Sequence, residues 1–396
     1  MADAGARRAR VLILGGTGFI GRHLVTHLIK NDLVSKIRVA DKVPPQMAWL
    51  NAQHKEVFAN PLVEFKHASL INPASVKNAF TDPEGDFEYV INLAAETKYG
   101  QTDPVYQEGI IRLSMNCAQE AMVRKVKLYM EFSSGQMYST DKVDAEVTGK
   151  PCREDNKCEP WTHLARHKLD VERQLEDLKD LNYVIVRPAI VYGPGDRQGL
   201  TPRLIIGAIY KYIRQKMKML WTKDLKMNTV HVEDVCRAVW HLCLHGNRGQ
   251  VYNIVDSADT TQGRVCHLVS ELFNIQYDFV GSMFSNIAKV NMTSVVEEIN
   301  DKHMTPWAAA CQMDDVANTP LNPFIDEELL YNKHLYLEGQ KLSDTGFTYQ
   351  IPAPRLDHLR EMLDDYIILG LFPKSLLKQE ISGKGEHSGG MEDQDE

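Results

Sequence analysis

Three glycines at positions 15, 18 and 21 separate a short apolar run from an amphipathic segment. The sequence there is Gly15-Gly16-Thr17-Gly18-Phe19-Ile20-Gly21. The run at residues 11–14 is typical of a strand buried on both faces, and the segment after the glycines has the apolar spacing of a helix. In such a strand–turn–helix unit, glycines let the backbone approach a pyrophosphate, which the helix N-terminus binds through its free N–H groups. The spacing therefore predicts a dinucleotide site at residues 15–21.

An acidic residue lies where such a site needs one. Asp41 comes at the end of the second predicted strand, twenty residues after Gly21. Its carboxylate can accept hydrogen bonds from the adenosine ribose and would repel a 2′-phosphate. Lys42 beside it offsets part of that repulsion. The pair favours NAD over NADP as the cofactor, with Lys42 as a further contact.

Strand-like and helix-like segments alternate from residue 10 to about residue 265. After the first strand, further strands are predicted at residues 36–40, 62–65, 89–94, 128–133 and 183–187. This alternation predicts an α/β fold with a doubly wound parallel sheet of the Rossmann type. We expect the Rossmann domain to span residues 8–270, with a substrate-binding insertion near 196–226. We expect a smaller, mainly helical substrate-binding part at 271–379 and a disordered acidic tail at 380–396.

Five stretches together resemble the extended short-chain dehydrogenases, specifically the NAD-dependent epimerase/dehydratase group. They follow the family's order: residues 15–21, Asn92-Leu93-Ala94-Ala95, Ser133-Ser134-Gly135-Gln136-Met137-Tyr138, residues 187–195 and residues 230–235. The resemblance covers residues 10 to about 260. It implies bound NAD or NADP and hydride transfer at a carbonyl or hydroxyl carbon. It also implies cofactor contacts by Leu93, Ala94, Ala95, Pro188 and Ile190.

The family's catalytic set is a Ser or Thr at a strand end, with a Tyr and a Lys four residues apart on a helix. Carried over by position, Ser134 is the group that polarises the carbonyl, and Lys168 is the lysine that binds the nicotinamide ribose. Leu164 stands four residues before Lys168, where the family has Tyr. Because leucine can neither donate nor accept a proton, the family's mechanism cannot operate unchanged.

Three explanations of Leu164 compete. Another side chain is the acid/base: His163 suits proton transfer near neutral pH, although one residue along a helix turns a side chain by about 100°. Tyr138 and Tyr99 are further candidates. Alternatively, the chain binds a dinucleotide as a sensor or scaffold without catalysis. A shifted register is disfavoured, because Lys168 keeps the family's spacing to an acid four residues later. We expect an NAD-dependent oxidoreductase or epimerase that acts on a carbonyl or secondary alcohol.

The residues at positions 135 and 136 argue against the dehydratase reaction of the family. Its dehydratases carry an Asp-Glu pair shortly before the tyrosine of the strand-end motif, and here Gly135 and Gln136 stand in those places. Without that carboxyl pair, protons cannot be moved at adjacent carbons in the same way. The substitution disfavours elimination of water from a nucleotide sugar.

The segment before residue 230 bears on the substrate. Nucleotide-sugar members grip the diphosphate with an Arg-Asp pair, and here Met227 and Asn228 occupy those positions. Arg203 and Lys226 are the basic residues left to replace that arginine. Residues 204–221 are rich in apolar side chains, which favours a small-molecule substrate of apolar character.

Composition limits the partners. The formal net charge is −8 and the basic residues form no run, which disfavours a nucleic-acid partner. No stretch is long enough to span a membrane, and the apolar run at 11–14 is too short for a signal peptide. Seven cysteines without a C-x-x-C pair predict reduced thiols, a cytoplasmic location and no metal site. A homodimer is compatible with these features.

Overall fold

The structure is a computed structural model that describes residues 8–138, 149–280 and 291–378. Within these residues, the main sheet has seven parallel strands in the order β10-β6-β5-β4-β1-β2-β3. The strands are Ala9–Leu14 (β1), Val34–Asp41 (β2), Val63–His67 (β3), Tyr89–Asn92 (β4), Leu128–Phe132 (β5), Tyr183–Pro188 (β6), Ile190–Tyr192 (β7), Met217–Met219 (β8), Thr229–His231 (β9), Gln250–Ile254 (β10) and Tyr277–Phe279 (β11). The sequence predicts the first six of these, and β10 is the strand of the main sheet that it misses.

Helices pack on both faces of the main sheet. The helices are Phe19–Lys30 (α1), Ala52–Phe58 (α2), Pro73–Phe80 (α3), Asp103–Tyr106 (α4), Leu113–Val123 (α5), His163–Asp177 (α6), Thr201–Tyr212 (α7), Val232–His245 (α8), Gln262–Phe273 (α9), Met292–Met313 (α10), Gln340–Ser343 (α11) and Leu356–Ile368 (α12). Side chains alternate along β1, so that Val11 and Ile13 pack with α1 and α8 while Leu12 and Leu14 pack with α3 and α5. This burial of both faces confirms the doubly wound α/β fold.

The strand order turns at β1, which lies between β2 and β4. In open α/β sheets, ligands bind beyond the carboxyl ends of the strands at such a point. The segments that follow β1, β2, β4, β5 and β6 therefore begin at one edge of the sheet, and the predicted site residues lie there, except His163 and Lys168, which lie on α6.

A second hydrophobic core lies beside the main sheet. It is formed by α7, α9, α10 and α12, and two short parallel pairs, β7–β9 and β8–β11, border it. It draws on residues from both sides of the predicted boundary at residue 270, since α9 packs against α7 and α12. The predicted disordered tail at 380–396 lies outside the described residues. In the described part of the chain, no helix has the length and apolar character needed to cross a bilayer.

Candidate dinucleotide and catalytic site

Close backbone contacts fix the turn between β1 and α1. Gly15 has a φ of +75°, and a Cβ on it would lie 2.7 Å from the backbone nitrogen of Ala94. A Cβ on Gly21 would lie 2.5 Å from the Cα atom of Gly16. Side chains cannot be placed at such distances without moving the backbone. Two of the three glycines are therefore required by the packing of the turn itself.

The third glycine leaves the start of α1 open. Gly18 is the N-cap residue, and no side chain caps the helix. A Cβ on Gly18 would meet the carbonyl oxygen of Gly15 at 3.1 Å. The N–H groups of the first turn and the positive end of the helix dipole are what a pyrophosphate needs. The turn thus fits the pyrophosphate of NAD, with Thr17 buried beneath it and Phe19 and Ile20 half-buried beside it.

Asp41 is tied to the glycine turn. Its Oδ2 accepts the backbone N–H of Thr17 at 3.2 Å, and its Oδ1 accepts the N–H of Val43 at 3.0 Å. The Thr17 hydroxyl in turn donates to the Val43 carbonyl at 3.0 Å. These bonds hold the carboxylate at the end of β2, next to the turn, where an adenosine ribose would meet it. Lys42 beside it is exposed.

The remaining predicted cofactor residues lie at the same edge of the sheet. Leu93, Ala94 and Ala95 follow β4 and are all half-buried, and the backbone of Ala94 closely approaches Gly15. The N–H of Ala94 donates to the side chain of Asn92 at 3.2 Å. Pro188 ends β6 and Ile190 begins β7, and both are half-buried. In the sheet order, β4 and β6 lie on either side of β5.

Ser134 and the ammonium group of Lys168 both lie at the carboxyl end of β5. Ser134 is half-buried, and its Oγ accepts the N–H of Gln136 at 3.1 Å. Lys168 projects from α6 and is buried, with Nζ donating to the Phe132 carbonyl at 2.6 Å. The structure thus brings together the two residues whose roles the family resemblance implies.

A buried carboxylate lies beside Lys168. Glu131 is fully buried in β5. Its oxygens accept hydrogen bonds from Asn92 at 2.8 Å, Ser114 at 3.0 Å and Tyr129 at 2.7 Å, and they lie 3.4 Å from Lys168 Nζ. The charge of Lys168 is therefore balanced inside the protein. The sequence analysis missed Glu131, although a lone acid within an apolar strand is a signal that would have found it.

Leu164 lies on α6, four residues before Lys168, as the sequence spacing predicts. Thr162 caps α6, its Oγ accepting the N–H of Ala165 at 3.1 Å, so the register of the helix is fixed. Leu164 lies four residues before Lys168, is buried, and packs in the same hydrophobic cluster as Val171 and Leu175. The side chain at this position belongs to the core.

His163 turns away from that core. Its side chain is about half exposed, with Nδ1 3.4 Å from an oxygen of Asp103 and Nε2 3.9 Å from Oε1 of Glu328. Glu328 Oε1 also accepts the backbone N–H of His163 at 2.8 Å. Glu328 Oε2 is buried and has no hydrogen-bond partner among the described residues. Burial raises the pKa of Glu328, and the His163 N–H opposes that shift. The distance of 165 residues along the chain hid this carboxyl from sequence analysis.

The two candidate tyrosines, Tyr138 and Tyr99, differ in the groups that their hydroxyls contact. Tyr138 is buried, accepts a hydrogen bond from Arg187 at 2.6 Å and donates to Asn253 at 3.1 Å. These contacts engage its hydroxyl within the core, so the structure does not favour Tyr138 as the acid/base. Tyr99 donates to the side chain of Gln136 at 3.3 Å, and burial raises its pKa to about 12. Tyr99 therefore lies next to the loop that carries Ser134.

Comparisons with known proteins agree with this geometry. A family model described as the NAD dependent epimerase/dehydratase family matches residues 11–255. The chain is 24% identical to the low-salt glycan biosynthesis protein Agl12 of Haloferax volcanii over 252 residues, 62% of this chain and 76% of that protein. It is 29% identical to a UDP-glucose 4-epimerase of Vibrio cholerae over 199 residues, 47% of this chain and 52% of that enzyme. A decarboxylating sterol-4-alpha-carboxylate 3-dehydrogenase of Candida albicans is 28% identical over 196 residues, 49% of this chain and 53% of that enzyme. The match thus spans about half the length of these two enzymes.

Solved structures share the fold. A UDP-glucose 4-epimerase of Thermus thermophilus in complex with NAD superposes with a TM-score of 0.63 at 19% identity, covering 90% of this chain and 99% of that one. DesIV, a dTDP-glucose 4,6-dehydratase of Streptomyces venezuelae with NAD bound, gives a TM-score of 0.65 at 17% identity, covering 91% and 97%. At these identities the likeness concerns the fold.

Proposed function

Because the chain belongs to the NAD-dependent epimerase/dehydratase family, we propose that it is an NAD-dependent oxidoreductase or epimerase that acts on a carbonyl or secondary alcohol. The proposal is supported by one observation: Ser134 directly follows β5, and the Lys168 ammonium donates to the Phe132 carbonyl at the end of the same strand, at the sheet edge that also holds the glycine turn.

The cofactor is NAD, which when bound supplies or accepts the hydride. The N–H groups that begin α1 bind its pyrophosphate, and Asp41 binds the adenosine ribose. The Ser134 hydroxyl donates a hydrogen bond to the substrate oxygen and so stabilises the charge that develops there. Lys168 would bind the nicotinamide ribose, as the family's lysine does, and its ammonium is held by Phe132 and Glu131.

A proton must still be exchanged with the substrate oxygen. We assign this role to His163, supported by Glu328, because the imidazole lies between two carboxylates and is half exposed. A carboxylate beside a histidine orients the ring through a hydrogen bond to one of its nitrogens. Glu328 supports the assignment because one of its oxygens is anchored while the other is buried without a partner among the described residues.

We further propose that water elimination is not the reaction. Gly135 and Gln136 lack the carboxyl groups that the family's dehydratases carry there, and Gln136 is engaged by Tyr99 and Thr162. A cytoplasmic location is supported by the cysteines, since all seven are free.

The alternative is a dinucleotide-binding sensor or scaffold. Two observations favour it: Leu164 belongs to the core, and the charge of Lys168 is balanced by Glu131. On this alternative Lys168 serves binding and folding alone.

Measurements of turnover distinguish the enzyme from the dinucleotide-binding protein. NADH formation and loss are followed with UDP-glucose, dTDP-glucose, a 4α-carboxysterol and simple secondary alcohols, and their ketones, for wild type and Ser134→Ala. Because an epimerase returns its hydride and leaves the amount of NADH unchanged, conversion of each sugar nucleotide to its epimer is followed by chromatography as well. We expect wild-type turnover that falls by about 100-fold or more in Ser134→Ala, the usual cost of losing one such donor. Ser133→Ala is the matched control, because the Ser133 hydroxyl donates to Glu172 instead. Binding of NAD without wild-type turnover would leave the binding protein standing.

A further inference from the structure

The carboxylate of Glu131 lies inside the main sheet, and the groups that contact it are donors. These groups are the Asn92 amide, the Ser114 and Tyr129 hydroxyls and the Lys168 ammonium. The Asn92 amide is held in this orientation because its own oxygen accepts the N–H of Ala94 at 3.2 Å. An ammonium and an amide N–H can only donate, and hydroxyls can donate as well. The surroundings therefore favour the ionised form of Glu131.

The ammonium of Lys168 is held against the end of β5. The Lys168 side chain is buried, and Nζ donates to the Phe132 carbonyl at 2.6 Å and lies 3.4 Å from Oε1 of Glu131. Opposite charges at such a distance attract strongly in a protein interior. Glu131 and Lys168 thus form a buried pair whose charges cancel.

Other charged groups of this region have partners of their own. Glu172, one turn beyond Lys168 on α6, pairs with Arg187 of β6. The carboxylates of Asp103 and Glu328 lie beside His163, which points away from the core. The charge that bears on the buried face of α6 near Lys168 is therefore that of the buried pair.

Leu164 lies on that same face. Leu164 and Lys168 are four residues apart on α6, a spacing that places two side chains next to each other along a helix. A cation within about 4–6 Å lowers the pKa of an acidic group by about 1–3 units, which would activate a phenol at this position. Leucine has no group to activate, and Leu164 packs with Val171 and Leu175 instead. The apolar residue at position 164 and the cancelled charge of Lys168 are thus two parts of one arrangement.

We propose that Glu131 is a positioning residue that draws the ammonium of Lys168 to the sheet and cancels its charge, so that this side of the site supports no acid/base. The proton must then be exchanged elsewhere in the site, in agreement with the role assigned to His163. The inference rests on the proposed function for that last step alone, because the buried pair acts on position 164 whether or not the protein turns over a substrate.

The pKa of a phenol introduced by Leu164→Tyr measures the charge that acts at this position. It is titrated in the ligand-free protein by NMR of ring-labelled tyrosine, against the same protein with leucine at 164. We expect a pKa at or above the ordinary value of about 10, since burial raises it and the pair does not lower it. Adding Glu131→Gln leaves Lys168 unopposed and should lower that pKa by at least about one unit. Adding Glu131→Gln and Lys168→Met together should leave it within about half a unit of Leu164→Tyr alone.

The variant without either charge keeps the test valid if Glu131→Gln with Leu164→Tyr does not fold, because it leaves no unpaired buried charge. Glu108→Gln, which removes an exposed carboxylate, is the control and should not move the pKa of the introduced phenol.

Three results would overturn the proposal. The first is a phenol pKa clearly below about 10 in Leu164→Tyr alone. The second is a rise of about one unit or more when both charges are removed, since either result would mean that Lys168 acts on position 164 despite Glu131. The third is an unchanged pKa when Glu131→Gln is added, which would leave Glu131 with a role in folding only. Because no substrate is present, failure of the proposed function does not by itself alter these results.

Discussion

The candidate site has a cofactor end, formed by residues 15–21 and Asp41, and a chemical end, formed by the side chains around Ser134, His163 and Lys168. The two ends are built in different ways. At the cofactor end, backbone meets backbone: Gly15 approaches Ala94, Gly21 approaches Gly16, and Asp41 is held by two N–H groups. At the chemical end, side chains come from distant parts of the chain, such as Glu131 from β5 and Glu328 from the segment after α10. The first end tolerates almost no substitution. The second depends on individual side chains, such as the pair of Glu131 and Lys168.

The largest effect on stability is expected at the chemical end. Glu131→Gln removes the charge that balances buried Lys168 and disturbs the bonds from Asn92, Ser114 and Tyr129. We expect the free energy of unfolding to fall by about 3–5 kcal/mol, the cost of breaking a buried pair. Glu108→Gln, which breaks an exposed pair with Arg112, should cost less than about 1 kcal/mol. Chemical denaturation measures both losses. If Glu131→Gln and Glu108→Gln lower the free energy of unfolding by the same small amount, the buried pair of Glu131 and Lys168 does not stabilise the chemical end.

The next largest effect is expected at the cofactor end. Gly18→Asp places bulk and negative charge over the open start of α1, so the affinity for NAD should fall by about 100-fold or more. The rise in melting temperature that NAD causes in the wild type should then disappear. At Gly149 a Cβ would meet nothing within 4 Å, so Gly149→Asp should leave that rise intact. If neither NAD nor NADP raises the melting temperature of the wild type, the glycine turn is not a dinucleotide site.

A moderate effect is expected for cofactor choice. Asp41→Ala removes the repulsion of a 2′-phosphate, and we expect the ratio of NAD to NADP affinity to fall by about tenfold, or about 1.4 kcal/mol. Asp41→Asn keeps an acceptor for the N–H groups of Thr17 and Val43 and separates the charge from the structural role. Titrations with both cofactors measure the ratio. Tighter binding of NADP by the wild type would mean that Lys42 outweighs Asp41.

The last effect is absent at neutral pH and concerns acid stability near the turn. His54 is buried, neither ring nitrogen has a partner among the described residues, and burial lowers its pKa to about 2, with His23 and Arg22 adding to the shift. The folded protein therefore keeps His54 neutral while the unfolded chain takes up a proton below about pH 6.5. The stability from this group is full above that pH and is lost as the pH falls, by up to about 1.4 kcal/mol per pH unit.

His54→Met should accordingly reduce the loss of unfolding free energy between about pH 6 and pH 4 without lowering stability at pH 7, because it also removes an unsatisfied buried polar group. His267→Met, at an exposed position on α9, should leave the slope as it is in the wild type. Identical slopes in all three proteins would exclude His54 as the source.

The fold and the cofactor end follow from the sequence because they depend on local patterns. The strand β1 is apolar throughout, and the glycines recur where backbones must touch. The strand β10 escaped prediction because the polar residues Gln250 and Asn253 interrupt its short apolar run. Asn253 is buried and accepts a hydrogen bond from the Tyr138 hydroxyl. The two residues are 115 positions apart in the sequence, so no local pattern reveals this contact.

The chemical end could be predicted only in part. Ser134 and Lys168 were found by their spacing to family motifs, and the structure brings them to one strand end. Glu328 could not be found in this way, because its place beside His163 depends on how the C-terminal part packs against the N-terminus of α6. Long-range side-chain contacts of this kind are set by tertiary packing, which periodicity does not encode.

The central claim is that the chemistry proceeds without a tyrosine at position 164, and turnover of Leu164→Tyr beside the wild type tests it most directly. Oxidation of NADH is followed against one panel of carbonyl compounds for both proteins. A phenol at this position must enter a packed cluster, which costs about 1–3 kcal/mol, and finds a site built around another acid/base. The account predicts turnover by the wild type and no gain in Leu164→Tyr. Activity that appears only in Leu164→Tyr would contradict it and leave a dinucleotide-binding protein.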